Sequence, residues 1–312
     1  MHIMENVTGE VFLENPPISL VVVTAIENLA AITLNLFIII VYFSNAELKT
    51  SSNNTMFASL AFTDFSTSLF FLYKTVFQSL FTIPNGFFGE VYCRLIYSTY
   101  IMWGLIGSSW FHVIIITFDR YVAVMHPHRY KTFSSSKETL KVLIITAYVV
   151  GFLSQWYDIF IAVGGTNNNC IFELPYWTLQ WKLAMITTLI LFLVACTLAI
   201  GSMYTVIIWK VIFKSRKKQS GISKSQQRAT TICIILVAEF IICSYPNAVF
   251  ATFYLLNDVL NLNFGLTPDS AIYLASVQMV GASSVINPII YISCNSLFHS
   301  AVIALYRKHL RS

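Results

Sequence analysis

Asp64 stands in the stretch SLAFTDFS, deep in a long apolar run, where an ionised carboxylate is costly unless another group receives it. Ser109 and Asn287, each in a different apolar run, could face it. A carboxylate, a hydroxyl and an amide oxygen suit a small hard cation such as sodium, or a cluster of water. A protonated Asp64 hydrogen-bonded to Asn287 accounts for the same residues without an ion. A second constellation, Asp119-Arg120-Tyr121, closes a third apolar run. It reads either as an ion pair marking the edge of a membrane or as a switch, in which Asp119 holds Arg120 until helices part. Arginine suits a switch because it cannot escape its partner by losing a proton. Glu239 and His112 also lie in apolar surroundings; they could bond each other, or each could be satisfied separately within the core. No nucleophile with an apparent base, no metal-ligand cluster and no phosphate-binding loop is found, so the chain is not read as an enzyme.

These residues must be held by elements suited to lipid. Hydrophobic residues make up 56% of the sequence and charged residues 11%, too few charges to coat a soluble surface. Seven windows of about 20 or more mostly apolar residues appear, at 18–43, 54–79, 93–118, 139–162, 180–209, 229–256 and 270–293. The expected fold is an all-α membrane protein, a seven-transmembrane helix bundle. Sixteen of the nineteen Lys and Arg residues fall on one side of these spans, and basic loops stay in the cytoplasm, so the N-terminus is expected outside and the C-terminus inside. The net charge of +5 then reflects sidedness and attraction to anionic lipid heads, not binding to nucleic acid. The first seventeen residues contain no Lys or Arg and do not read as a cleaved signal peptide.

A single domain is expected over 1–312, with an extracellular tail at 1–17, the bundle at 18–293, and a membrane-surface helix and short cytoplasmic tail at 295–312. In the last segment Leu297, Phe298, Val302, Leu305 and Tyr306 recur at helical spacing opposite Arg307 and Lys308. The inner loop at about 210–228 is basic and serine-bearing. Four cysteines, Cys196, Cys233, Cys243 and Cys294, lie in or beside apolar spans. Cys93 and Cys170 fall on the oxidising side, where a disulfide would tie the top of the third helix to the loop after the fourth. Asn6 heads a glycosylation sequon in the outer tail.

Asn35 in the first span, Leu60-Ala61-Phe62-Thr63-Asp64 in the second, Asp119-Arg120-Tyr121 in the third, Phe240 to Pro246 in the sixth and Asn287-Pro288-Ile289-Ile290-Tyr291 in the seventh form an ordered set. This set resembles that of the rhodopsin-like (class A) G-protein-coupled receptors across essentially all seven helices. The resemblance implies a ligand bound among the outer helix halves, transmission through Phe240, Ser244 and Pro246, and an outward swing of the sixth helix that opens an inner cleft. A heterotrimeric G protein would enter that cleft, with arrestin as a further partner on the same face. Tyr204 and Tyr291 would turn toward Arg120 in the active state.

The departures narrow what carries over. Ser244 stands where the family usually has a tryptophan, Cys196 lies about where a fifth-helix proline is expected, and Gln226 replaces an acid that often holds the arginine. Cys93 and Arg120 are 27 residues apart, about two more than the pattern implies, so a bulge at the top of the third helix or a shifted disulfide is expected. Gly281 occupies the place of an opsin's retinal lysine, which excludes a photopigment, and no cofactor beyond a sodium ion is implied. Met102 lies about where amine receptors carry an aspartate, which argues against a biogenic amine. Compact loops resemble chemosensory branches. Candidate pocket residues are Met102 and Trp103 on the third helix, Gln278 on the seventh, and Lys74, which could meet an acidic ligand or snorkel to the outer interface. The alternative reading is a transporter or ion channel using Asp64 and Glu239, although seven unlike spans lack the paired repeats common in transporters.

Overall fold

The computed structural model describes residues 18–130, 136–160, 162–165, 169–172, 178–210, 224–260 and 270–309. Asn6 therefore lies outside the described residues, as does the side chain of Gln226. Seven long helices form the bundle: α1 (Ile18–Ser44), α2 (Ser52–Leu72), α3 (Tyr100–Met125), α4 (Lys137–Ser154), α5 (Leu179–Trp209), α6 (Lys224–Leu260) and α7 (Ala271–Cys294). An eighth, α8 (Ser296–His309), follows directly. Three helices begin where a hydroxyl can receive an otherwise unpaired backbone N–H: Ser136 caps α4, Thr178 caps α5 and Ser270 caps α7. Pro246 and Pro288 sit inside α6 and α7, each removing one helical hydrogen bond at mid-span.

Six of the spans are long and apolar enough to cross a membrane on length and composition alone. The helix α4 is different: it has 18 residues, with Lys137, Glu138 and Lys141 in its first turn and a half. Its exposed Val142, Ile145, Val149 and Leu153 nevertheless form a lipid-facing stripe. Its other side lies close against α3. A Cβ on Gly151 would stand 2.4 Å from the Ser108 backbone nitrogen, and one on Gly107 would stand 2.8 Å from the Gly151 carbonyl oxygen. Small residues allow this approach, since in lipid helices associate by close packing.

Among the helix boundaries that differ from the apolar windows, two bear on the site. The third window stops at 118, yet α3 runs on to Met125, so Asp119-Arg120-Tyr121 lies within the helix and does not end it. Paired and buried charges have no need to reach water. The fourth window extends to 162, but α4 ends at Ser154 and gives way to a 3₁₀ turn at Trp156–Phe160.

The two extra residues before α3 are accommodated locally. A short helix, Phe87–Tyr92, leads into a wide π turn at Cys93–Tyr97, closed by Ser98 N–H donating to the Cys93 carbonyl at 3.0 Å. Thr99 then adopts a left-handed conformation, φ 67°, before α3 begins. The expected bulge is therefore present, and Cys93 still bonds Cys170, with Cα atoms 5.5 Å apart. Outside the membrane the hairpin β1 (Ala162–Gly164) and β2 (Cys170–Phe172) forms an antiparallel pair. Glu90 accepts from Gly164 N–H at 2.7 Å and from Arg94 Nε at 2.5 Å, and Arg94 also reaches the Ile159 carbonyl at 3.2 Å. The disulfide and this ion pair join the hairpin to the top of α3. At the inner face α8 buries Phe298 and Ala301, and Asn295 Nδ2 donates to Asn54 Oδ1 at 2.9 Å, fixing the α7–α8 corner to α2.

Candidate functional site

Three polar or aromatic centres lie along α3. At its inner end Asp119 is fully buried and Arg120 is 6% exposed. Arg120 donates through Nε to Asp119 Oδ2 at 3.1 Å and makes a closer ion pair with it through Nη2. Ser52 at the start of α2 donates to Asp119 Oδ1 at 3.2 Å. Tyr130 donates to Asp119 Oδ2 at 3.3 Å and accepts from Arg120 at 2.8 Å. The clasp thus has four members, all satisfied, as a buried ion pair must be. Nearby, the hydroxyls of Tyr204 and Tyr291 are buried with no hydrogen-bond partner of normal geometry, and the Tyr291 ring stacks on Phe57 at 4.7 Å. Tyr121 is half-buried beside His126.

At mid-depth Asp64 is buried, with Ser109 Oγ donating to Oδ1 at 3.1 Å and Asn287 Nδ2 donating to Oδ2 at 2.8 Å. The structure brings these three residues together from α2, α3 and α7. Asn35 extends the connection to α1 by donating to the Ser284 carbonyl at 2.7 Å. The carboxylate and Ser109 hydroxyl oxygens would suit a small cation, while the two donors already satisfy Asp64 by themselves.

At the same depth, on another face of α3, lies an aromatic cluster centred on Trp110. Its ring stacks on Tyr245 at 5.4 Å and meets Phe240 edge-on at 4.8 Å, both on α6, with Phe192 of α5 at 5.2 Å. Tyr245 also bonds Thr197 of α5 at 2.7 Å. Trp110 lines a cavity of about 200 Å³ walled by α3, α5, α6, α7 and the turn after α4. Trp103, Ser244, Phe250 and Tyr273 are among its other walls, and Asp158 contributes a buried carboxylate.

The model of the 7 transmembrane receptor (rhodopsin family) matches residues 34–291, most of the chain. The chain belongs to the rhodopsin-family seven-transmembrane receptors. It is 28% identical over 283 residues to the neuropeptide S receptor of Homo sapiens, covering 81% of this chain and 71% of that one. Against the histamine H2 receptor of Canis lupus familiaris the identity is 26% over 329 residues, covering 97% and 84%. Against the somatostatin receptor type 4 of Rattus norvegicus it is 29% over 265 residues, covering 82% and 64%. The protein is thus a multi-pass membrane receptor of this family and not an enzyme.

Within this rhodopsin-family receptor the four candidate pocket residues separate. Trp103 lines the cavity. Met102 is packed into the core, and Gln278 donates to Thr24 on α1 at 2.5 Å. Lys74 donates to the Tyr97 carbonyl at 3.2 Å and lies over the Tyr97 ring at 4.7 Å, away from the cavity walls. A Glu239–His112 bond does not form. His112 Nε2 pairs with Ser59 and Nδ1 with the Ser108 carbonyl, both at 2.8 Å, and its ring faces Tyr148 on α4. The helical period explains this: His112 lies about 200° around α3 from Trp110, the residue that meets α6. Gly281 leaves room for an acid, since a Cβ there would stand 2.8 Å from Glu27 Oε1 of α1.

Sequence reasoning missed Ser52, Tyr130, Trp110, Glu27 and Asp158. Glu27 could have been found as an acid within an apolar span. Ser52, Tyr130 and Trp110 carry no signal of their own, because each matters only through what it touches.

Proposed function

We propose that this receptor takes an extracellular ligand into the cavity between its outer helix halves and activates a heterotrimeric G protein at its inner face. The observation that carries this reading is the position of Trp110. It stands on the same helix as the buried Asp119–Arg120 clasp, lines the cavity, and holds α6 through Phe240 and Tyr245. A ligand that moves Trp110 changes the seat of α6 directly. In this chain an aromatic ring on α3 thereby supplies the link that Ser244 leaves vacant on α6. Pro246 weakens α6 one turn above Cys243, where a swing of its inner half needs least bending energy.

The inner half has reason to be bistable. The buried Tyr291 hydroxyl, without a partner, costs about 1–3 kcal/mol in the closed state. Turning toward a freed Arg120 would satisfy it and offset part of the loss of the clasp, and Tyr204 would turn the same way. At mid-depth Asp64, with the Ser109 oxygen, would hold sodium or water in the inactive state, and Asn287 would couple that centre to α7. The basic loops orient the N-terminus outside, so the ligand is extracellular. The relatives' names point to peptides and amines as ligand classes; a chemosensory role is a narrower version resting on the compact loops.

The test is basal G-protein activation in cells carrying a promiscuous G-protein reporter, normalised to surface expression. Asp119→Asn should raise it above wild type, and adding Arg120→Ala should silence it. Equal output from wild type, Asp119→Asn and the double variant would overturn the switch. Substituting Trp110 with Leu should raise the Asp119→Asn signal further by loosening the hold on α6. For the mid-depth centre, sodium should lower basal activation in wild type and not in Asp64→Asn.

A further inference from the structure

The cavity contains a buried acid, Asp158, that the mechanism above does not use. Asp158 lies in the 3₁₀ turn Trp156–Phe160, with its backbone N–H donating to the Gln155 carbonyl at 3.0 Å, which fixes it against the cavity wall. It is 6% exposed, and its Oδ2 is buried with no hydrogen-bond partner. Asp158 takes no part in the ion pairs formed among the described residues. Arg94 donates to the adjacent Ile159 carbonyl and pairs with Glu90, not with Asp158. Phenols of Tyr100, Tyr157 and Tyr273 surround it, bringing no positive charge.

Burial without a partner pushes the Asp158 carboxyl toward its neutral form, and an arriving cation would favour the carboxylate by pairing with it. The remaining walls suit a cation with an apolar body. Trp103, Trp110, Phe250 and Tyr273 offer aromatic faces that attract positive charge and cover hydrocarbon. We propose that the ligand carries a protonated amine or guanidinium that pairs with Asp158 in this cavity. The cavity of about 200 Å³ suits a small arylalkyl amine or one Lys or Arg side chain of a peptide. Met102 removes the aspartate expected on α3 of an amine receptor; the carboxyl here comes instead from the turn after α4. This proposal rests on the cavity being the ligand's seat.

The test is thermal unfolding of the purified full chain in lipid nanodiscs with millimolar probes. 2-Phenylethylamine represents a free amine, a capped phenylalanyl-arginine amide represents a peptide side chain, and 2-phenylethanol is the neutral control. At least one cation should raise the unfolding midpoint of wild type well above the effect of the alcohol, and which one does so tells the two sources apart. In Asp158→Asn the ligand-free midpoint should equal or exceed that of wild type, while apparent cation affinity falls about thirtyfold or more. Asp158→Glu keeps the charge and should keep the preference for the cation over the alcohol, which covers the case of a poorly folding Asn variant. No gain from either cation, a gain matched by the alcohol, or equal gains in wild type and Asp158→Asn would overturn the proposal. Basal signalling by Asp119→Asn separates the two levels. If it persists while the cations fail, only the cation assignment falls; if it too is absent, the receptor mechanism falls with it.

Discussion

Asp119 and Asp158 are both buried aspartates, at opposite ends of the bundle, and their surroundings could hardly differ more. Asp119 accepts from Arg120, Ser52 and Tyr130. Oδ2 of Asp158 accepts from nothing. Burial makes both carboxylates costly, so the contrast lies in where the compensating charge comes from. The inner site carries its own cation and is satisfied as built. The outer carboxyl lacks a partner at Oδ2. On the proposed reading one end of the molecule stores restraint, and the other receives the ligand.

The contrast can be sharpened by substitution, beginning with the largest effect. Removing the disulfide through Cys93→Ala and Cys170→Ala opens a link of sequence separation 77 and should cost about 4 kcal/mol. The loss should fall on the outer region, lowering the unfolding midpoint and surface expression without raising normalised basal signalling. A raised basal signal would show that the outer cap also restrains α6, and the two ends would no longer be separable.

Next is Asp119→Asn, which leaves the Arg120 guanidinium buried without its counter-charge, a loss of about 3–5 kcal/mol from the closed state. If about 1.4 kcal/mol of it falls on the closed-to-open balance, basal activation rises about tenfold. Asp158→Asn should act in the opposite direction on stability, and melting the two variants side by side tests the comparison directly.

Smaller effects come from the clasp's neutral members. Tyr130→Phe and Ser52→Ala each remove hydrogen bonds worth about 1 kcal/mol, so basal output should rise about two- to fivefold in the same reporter assay. No change in either variant would mean that the charge pair alone provides the restraint. Smallest is Gln226→Glu, which would add an acid near the base of α6. Arg120 is already paired with Asp119, so the added acid should shift the balance by roughly 1 kcal/mol or less and basal output should fall by less than about fivefold, most visibly in the Asp119→Asn background.

The elements and their order were legible in the sequence because lipid imposes a simple rule. A span needs a long apolar run, and each of the seven windows overlaps a helix of the bundle. The Asp64, Ser109 and Asn287 cluster was legible for a related reason: polar residues inside apolar runs have few places to go except toward one another. The bulge before α3 was legible as two surplus residues, although its form, a π turn followed by a left-handed Thr99, was not. Apolarity locates lipid contact but does not locate the end of a helix. Thus α3 continues past its charged residues to Met125, because Ser52 and Tyr130 help satisfy them, and α4 stops at Ser154, short of its apolar limit.

What the sequence by itself determined is the membrane-spanning order and the motif residues, both of which follow from local composition and spacing. Only the tertiary structure decided that Trp110 holds α6, that His112 turns to Ser59 instead of Glu239, and that Asp158 enters a cavity without a partner. Each depends on which face of a helix meets which neighbour. A hydroxyl, a ring or a carboxylate has the same identity in the chain wherever it points; its energy is set by the group a few ångströms away, and that group is supplied by another helix.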